Sequence, residues 1–285
     1  MKKAFQAIKE SCGLLKNNPF LALPFVLFAL LEGIALYLLF LAPQEPFSKV
    51  LAPPIARIWG EQFVHYPWHL LKLPQLFYYA KLYALSLLPG MFLSAIVVGL
   101  VGDIKTEQVP KFRRHIKTSF HRFIALTIIW GLGIGVIKLF EFLYIQAIGW
   151  GESKTYLTSL QFLIYFLSFW VQILFLYAIP LVILTKQSLF KALINNFRYL
   201  GRLFLPTSLC VFLAALLYLG LYIFEKDLIG LASRTSPEII VVVLAISIPL
   251  TFVINLLVTI TSTVLFVNEQ SNDPRVSLII SKASS

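Results

Sequence analysis

The chain has 285 residues, of which 59% are hydrophobic and 13% are charged, and its formal net charge is +11. Soluble domains contain about 45–50% apolar and about 25% charged residues, so this composition excludes an ordinary soluble domain. Crossing a bilayer takes about 20 mostly apolar residues in a helix, and six stretches have that length. The sequence therefore predicts an all-α, polytopic protein with one membrane domain over residues 1–285. Its predicted spans are residues 20–42, 76–101, 123–147, 159–184, 203–224 and 239–267.

The basic residues predict the orientation of these spans. Residues 1–18, 102–122, 185–202 and the tail after the last span contain 16 Lys and Arg, whereas the three alternate segments contain 6. Because cytoplasmic loops carry the excess of positive charge, we expect both termini in the cytoplasm. We expect no nucleic-acid partner, since the basic residues are spread over several segments without a recognition motif.

Three of the basic segments, those before the first, third and fifth spans, have apolar residues at helical spacing and basic residues on the opposite face. Each is predicted to be an interfacial helix in contact with anionic headgroups. The likeness of Ala7–Ser11 to His115–Ser119 indicates three tandem units, each an interfacial helix followed by two spans; shared surface chemistry without common ancestry is the alternative. The candidate headgroup contacts are Lys9, Lys16, Arg113, Arg114, Lys117, Lys191, Arg198 and Arg202.

The predicted outer segment, residues 43–75, contains six prolines, which we expect to break any long helix. In this segment Glu61, His65 and His69 lie four apart, as zinc ligands on one helical face do. Pro67 interrupts that spacing, so we favour a loop in contact with headgroups and expect no metal site.

Four ionisable residues fall inside the predicted spans. A charge at the centre of a span costs about 2.5–3.5 kcal/mol on insertion scales, so each is expected to face protein or water. Counting depth along the helices predicts that Glu32 pairs with Lys138 and that Lys81 pairs with Glu141. Two amides near the midplane join this candidate polar cluster, with a role as packing contacts as the alternative. The cluster comprises Glu32, Lys81, Lys138, Glu141, Gln172 and Asn255.

Short motifs indicate a family. The run Tyr177–Pro180, the turn Thr185–Ser188, the following Lys191-Ala192-Leu193 and the opening Leu15–Pro19 resemble the membrane domain associated with glycerophosphoryl diester phosphodiesterases and related six-helix bacterial membrane proteins. The soluble phosphodiesterase domain, with its acidic and histidine active site, has no counterpart in this chain. The resemblance therefore implies a fold and a bacterial inner-membrane location, and it implies no hydrolase activity.

Two classes of function stay open, and neither needs a cofactor. The first is a noncatalytic membrane protein, a scaffold or the membrane partner of another protein, with self-association as a further option. The second is a transporter or channel for a small solute, proton or lipid that uses the polar groups around Glu32. A dry, ion-paired Glu32 favours the first class, and a water-filled cavity that reaches it favours the second. A lipid-modifying enzyme ranks last, because the sequence offers no set of nucleophile, base and metal.

Overall fold

The computed structural model describes residues 2–148, 167, 170–171, 173–226 and 228–271, and these residues form helices without a strand. The bounds of the α-helices are α1 Lys2–Asn17, α2 Leu23–Phe40, α3 Ser48–Trp59, α4 Trp68–Tyr79, α5 Met91–Lys105, α6 Phe112–His121, α7 Phe123–Ile148, α8 Ala178–Ile183, α9 Leu189–Lys226, α10 Leu228–Arg234 and α11 Ile239–Ser271. A π-helix, Ala80–Gly90, joins α4 to α5, and 3-10 turns occupy Pro19–Ala22 and Glu61–Val64.

Five helices in the described part of the chain are long and apolar enough to cross a membrane. They are Pro19–Phe40, Trp68–Lys105, Phe123–Phe140, Leu189–Leu217 and Ile239–Ser271. They correspond to the first, second, third, fifth and sixth predicted spans, which confirms the all-α, multi-pass class. The fourth predicted span, residues 159–184, lies largely outside the described residues, and its described end contains the shorter apolar helix Ile173–Ile183.

Residues 43–75, which the sequence predicted to lie on the outer side, are more helical than their prolines predict. Helix α3 contains Pro53 and Pro54, and α4 contains Pro74 and begins at Trp68, eight residues before the predicted span. A proline inside a helix costs about 3 kcal/mol, but burial of an apolar face offsets that cost. In α4 the buried residues on either side of Pro74 are Leu70, Leu73, Leu76 and Phe77.

The third interfacial helix is not separate from the span that follows it. Residues 189–202 and the fifth span form one continuous helix, α9, and Pro206 lies within it. The prediction of two distinct elements is therefore wrong here. No helix-ending glycine turn stands between them, since Gly201 is flanked by helical residues on both sides.

The chain divides into two compact units. The first contains residues 1–21, 94–215 and 257–285, and the second contains residues 22–93 and 216–256. Fully buried residues of the first unit include Leu100, Leu126, Tyr177, Leu203 and Phe266, and the rings of Tyr177 and Phe266 stack with 6.1 Å between centroids. The core of the second unit includes Leu36, Leu73, Phe77, Leu244 and Ile248.

Helix α2 shows what surrounds the second unit. Its buried face carries Phe25, Phe28, Glu32 and Leu36, whereas its exposed face carries Leu23, Leu27, Leu30 and Ile34. A helix that is apolar on both its inner and its outer side suits lipid and not water.

The helix is interrupted before Pro180. The chain turns at residues 176–177, inside the fourth predicted span and directly before α8. Asn196 of α9, which is fully buried, closes the break: its Oδ1 accepts a hydrogen bond from the Tyr177 N–H at 3.0 Å, and its Nδ2 donates to the Leu174 carbonyl oxygen. Backbone groups at a helix break need such partners, because lipid supplies none.

We expect Asn196→Ala to lower the free energy of unfolding by about 1–3 kcal/mol for each backbone group left unpaired. Asn195→Ala is the matched control, since Asn195 makes one contact, to the Gln187 side chain at 2.9 Å, and is only half-buried. Denaturant unfolding in detergent micelles measures both variants. Equal losses would show that Asn196 does not support the break.

Candidate functional site

Glu32 is the most deeply buried charged side chain among the predicted cluster members that the structure describes. It is 1% exposed, and it lies on the inward face of α2 between Phe28 and Leu36. The sequence predicted that Glu32 faces protein or water, and its side chain lies inside the protein. Lys81 Nζ lies 3.0 Å from Glu32 Oε1, so the carboxylate has a cationic partner that offsets the cost of burying its charge.

A third group, Thr251 of α11, holds Lys81. The Lys81 ammonium donates to Thr251 Oγ1 at 3.2 Å, and the Thr251 hydroxyl donates to the Ser247 carbonyl oxygen at 2.6 Å. Lys81 is the second residue of the π-helix Ala80–Gly90. The wider π-turn changes the direction of side chains relative to an α-helix and often marks a functional site. One ion pair and one hydrogen bond thus connect α2, the π-helix and α11 inside the second unit.

The predicted pairing needs correction. The ion pair that the structure gives for Glu32 is with Lys81, whereas the sequence predicted Lys138 as its partner. The depth count began the second span at residue 76, whereas the helix begins at Trp68. Centring the longer helix moves Lys81 about 3 Å toward the midplane, and the flexible lysine side chain covers the remaining distance.

The structure describes only some of the other predicted members of the cluster. Lys138 is half-buried on α7, and the side chain of Glu141 lies outside the described residues, as does Gln172. Asn255 is exposed on α11, so its prediction as part of a polar core is wrong. It lies on the outward side of the helix, whereas Thr251 is buried.

The eight candidate headgroup contacts are exposed, as predicted for the basic faces of interfacial helices. Three of them belong to α6, and Arg114 among these also lies 3.8 Å from the Asp103 carboxylate and donates to Gln108 Oε1. The remaining five are Lys9, Lys16, Lys191, Arg198 and Arg202.

Sequence reasoning missed a buried pair in the first unit. His115 of α6 donates from Nε2 to Asp103 Oδ2 at 2.6 Å, and both residues are 6% exposed. The other ring nitrogen, Nδ1, packs on Gly99, where an added Cβ would approach it to 2.2 Å. A catalytic proton relay would need a nucleophile within reach of the second ring nitrogen. The backbone of Gly99 occupies that position, so the geometry fits a structural contact that fixes α6 to α5. The sequence offered one signal for this pair: an aspartate just past the end of a predicted span, followed by a histidine on a basic helix.

A second missed network involves Glu10 of α1. It accepts hydrogen bonds from Lys105, at the end of α5, and from Asn268 of α11 at 3.0 Å. Partial burial raises the pKa of Glu10, but the hydrogen bonds from Lys105 and Asn268 and the charge of Lys105 outweigh burial and hold the pKa below its ordinary value. The ionised Glu10 side chain therefore fixes α1 to α5 and α11.

Residues 43–75 do not bring together the zinc ligands considered from the sequence. His69 is buried, with Nε2 lying 2.8 Å from the Leu39 carbonyl oxygen and Nδ1 lying 3.3 Å from the Phe63 carbonyl oxygen. Both ring nitrogens thus contact backbone, and the described residues include no group of three or more His, Cys, Asp or Glu side chains that could hold a metal ion.

These features define the class: a multi-pass, helical membrane protein with a buried ion pair and exposed basic helices. Comparison of the chain with protein-family models, with curated proteins and with solved structures finds no match. The resemblance to the phosphodiesterase-associated membrane domain stays a prediction from short motifs.

Removing one partner of the Glu32–Lys81 pair is expected to destabilise the protein more than removing both. Lys81→Leu leaves a carboxylate with no exposure to water and should cost about 3–5 kcal/mol. Glu32→Leu should cost less, because the Lys81 side chain is 24% exposed and is long and flexible enough to extend its ammonium group toward the headgroups. The double variant should recover most of the loss, since two apolar side chains replace a buried pair at little net cost. Denaturant unfolding in detergent measures the cycle, and additive losses would contradict a direct interaction.

The stability that Glu10 contributes should depend on pH with a defined sign. Because its pKa is lower in the folded protein than in the unfolded chain, the contribution is complete above the unfolded value, near 4.5, and is lost as the pH falls through the folded value. We expect the difference in melting temperature between wild type and Glu10→Gln to vanish below that window. Glu107→Gln, which alters an exposed carboxylate, is the control. A difference that persists at low pH would refute the role of the charge.

Proposed function

We propose that this protein is a noncatalytic integral membrane protein that acts as a scaffold or as the membrane partner of another protein. The observation that carries the proposal is the closed environment of Glu32. Its side chain is 2% exposed, and its charge is paired with Lys81. An ionisable group inside a membrane is a functional candidate by default, but one that is dry and already paired fits a structural role better than solute binding.

The polar side chains of the first unit support the same proposal. His115 and Asp103 satisfy each other, and the second nitrogen of His115 packs on Gly99. Asn196 is committed to backbone atoms at the break before Pro180. Within the described residues, these groups stabilise contacts between helices, which argues against the lipid-modifying enzyme considered from the sequence.

The proposed location is the bacterial cytoplasmic membrane, with six spans and with the residues before the first span and after the last span in the cytoplasm. The support for this orientation is the excess of Lys and Arg in alternate segments. A protein partner or a second copy of the chain would act together with a bilayer that contains anionic lipids.

One observation favours a second candidate, a transporter or channel for a small solute, proton or lipid. Two apolar segments depart from regular α-helix: the π-helix that includes Lys81 and the turn at residues 176–177. Transporters use interrupted helices of this kind at their binding sites.

A flux measurement separates the two candidates. Wild-type protein in liposomes, loaded with a pH-sensitive dye and placed under an imposed membrane potential, should show no more proton entry than liposomes without protein. Proton entry that Glu32→Gln abolishes, and that the exposed-site control Glu61→Gln leaves unchanged, would overturn the proposed role and favour the transporter.

A further inference from the structure

Three basic helical segments of the first unit pack through equivalent positions. In each, two residues four apart are buried: Ala7 and Ser11 in α1, His115 and Ser119 in α6, and Ala192 and Asn196 in α9. Residues four apart lie on one helical face, so each segment turns a face that includes these small or polar side chains toward the protein. Ala4 in α1 and Leu200 in α9 are buried as well. The segments that pack in this way are residues 2–17, 112–121 and 189–202.

The same segments expose large aromatic side chains on their other faces. Phe5 is 55% exposed, Phe120 is 74% exposed, Phe190 is 76% exposed and Phe197 is 52% exposed. Apolar rings left in water are unfavourable by about 25 cal/mol for each Å² of apolar surface, so this exposure needs an apolar environment. Headgroup and acyl-chain atoms provide one at the depth where an interfacial helix lies.

Among the described residues, part of the charge on these segments has a carboxylate partner, since Lys3 pairs with Glu269 and Arg114 lies 3.8 Å from Asp103. Residues 112–121 and 189–202 contain no Asp or Glu, and in residues 2–17 the carboxylate of Glu10 already pairs with Lys105. Lys9, Lys117 and Arg198 are exposed and form no ion pair with a carboxylate in the part of the chain that the structure describes. A surface that is both cationic and aromatic complements anionic lipid.

The adjoining spans fix the depth of the surface. Residues 2–17 end two positions before the candidate span that begins at Pro19, and α6 ends at His121, two positions before the span that begins at Phe123. Residues 189–202 belong to the same helix as the next span. Each segment is thus tied to the membrane boundary, where headgroups are the nearest anions.

We propose that residues 2–17, 112–121 and 189–202 form a binding surface for anionic lipids. The phenylalanine rings enter the boundary between headgroups and acyl chains, and the basic side chains bind lipid phosphates. The three segments reach this arrangement through one packing pattern, in which the buried pair of positions orients each helix about its axis. The surface selects lipids by charge and does not depend on whether the protein acts as a scaffold or as a transporter.

Hydrogen exchange in nanodiscs tests this proposal. The full-length protein is placed in discs of phosphatidylcholine alone and in discs of phosphatidylcholine mixed with phosphatidylglycerol. We expect slower exchange of the amides of residues 2–17, 112–121 and 189–202 in the mixed discs at low salt. The difference should shrink as sodium chloride rises from 0.1 M to 1 M, because the screening length falls from about 10 Å to about 3 Å.

The variant Arg113→Gln/Lys117→Gln removes two exposed charges that lie four residues apart on α6. It should reduce the extra protection of residues 112–121 in mixed discs about thirtyfold, while exchange in phosphatidylcholine stays at the wild-type rate and reports an intact fold. Arg113→Lys/Lys117→Arg should keep the preference. The control Lys49→Gln/Arg57→Gln, on the amphipathic helix α3, should leave residues 112–121 unchanged.

Three results would overturn the proposal. The first is equal exchange of the wild-type protein in both kinds of disc, and the second is an unchanged lipid preference in Arg113→Gln/Lys117→Gln. The third is equal protection by a soluble RNA added to phosphatidylcholine discs, since that would show a surface for polyanions from water and not for lipid.

Discussion

The ion pair between Glu32 and Lys81 is the interaction on which the second unit depends. Glu32 lies in the buried stripe of α2 with Phe28 and Leu36, so the rotation of α2 that packs these apolar residues also takes the carboxylate out of reach of water. Without a cation nearby, apolar packing and charge burial would oppose each other. Lys81 removes that conflict, and its hydrogen bond to Thr251 extends the connection to α11.

Buried polar groups in the first unit also need partners, and they find them in uncharged groups and in ion pairs at the ends of helices. Asn196 supplies both a donor and an acceptor to a broken stretch of backbone, which lipid is unable to do. Asp103 and Lys105, in the last turn of α5, hold α6 and α1 through His115 and Glu10. These contacts leave aromatic and basic residues of the three basic helical segments exposed.

Composition and apolar length were enough to predict the helical class and five spans, because crossing a bilayer sets a length that the sequence shows directly. The pairing of Glu32 was not predictable in the same way, since it depends on where α4 begins, and Pro74 concealed that boundary. Asn195 and Asn196 are neighbours in a basic segment, and only the packing of α9 decides which of them is buried. The pairing of His115 with Asp103 was not predicted, because Asp103 lies just past the predicted end of a span.

The difference between the buried polar groups, which are paired, and the exposed basic groups bears on function. To carry a proton or a solute, Glu32 would have to exchange Lys81 for water or for the solute, and separating a buried ion pair is costly. The π-helix alone does not provide that exchange, because Lys81 within it is already bound to Glu32 and to Thr251. The charges that stay available, such as Lys9, Lys117 and Arg198, are exposed on the interfacial helices. The proposed recognition of lipid or of a protein partner therefore belongs to the basic surface and not to the interior.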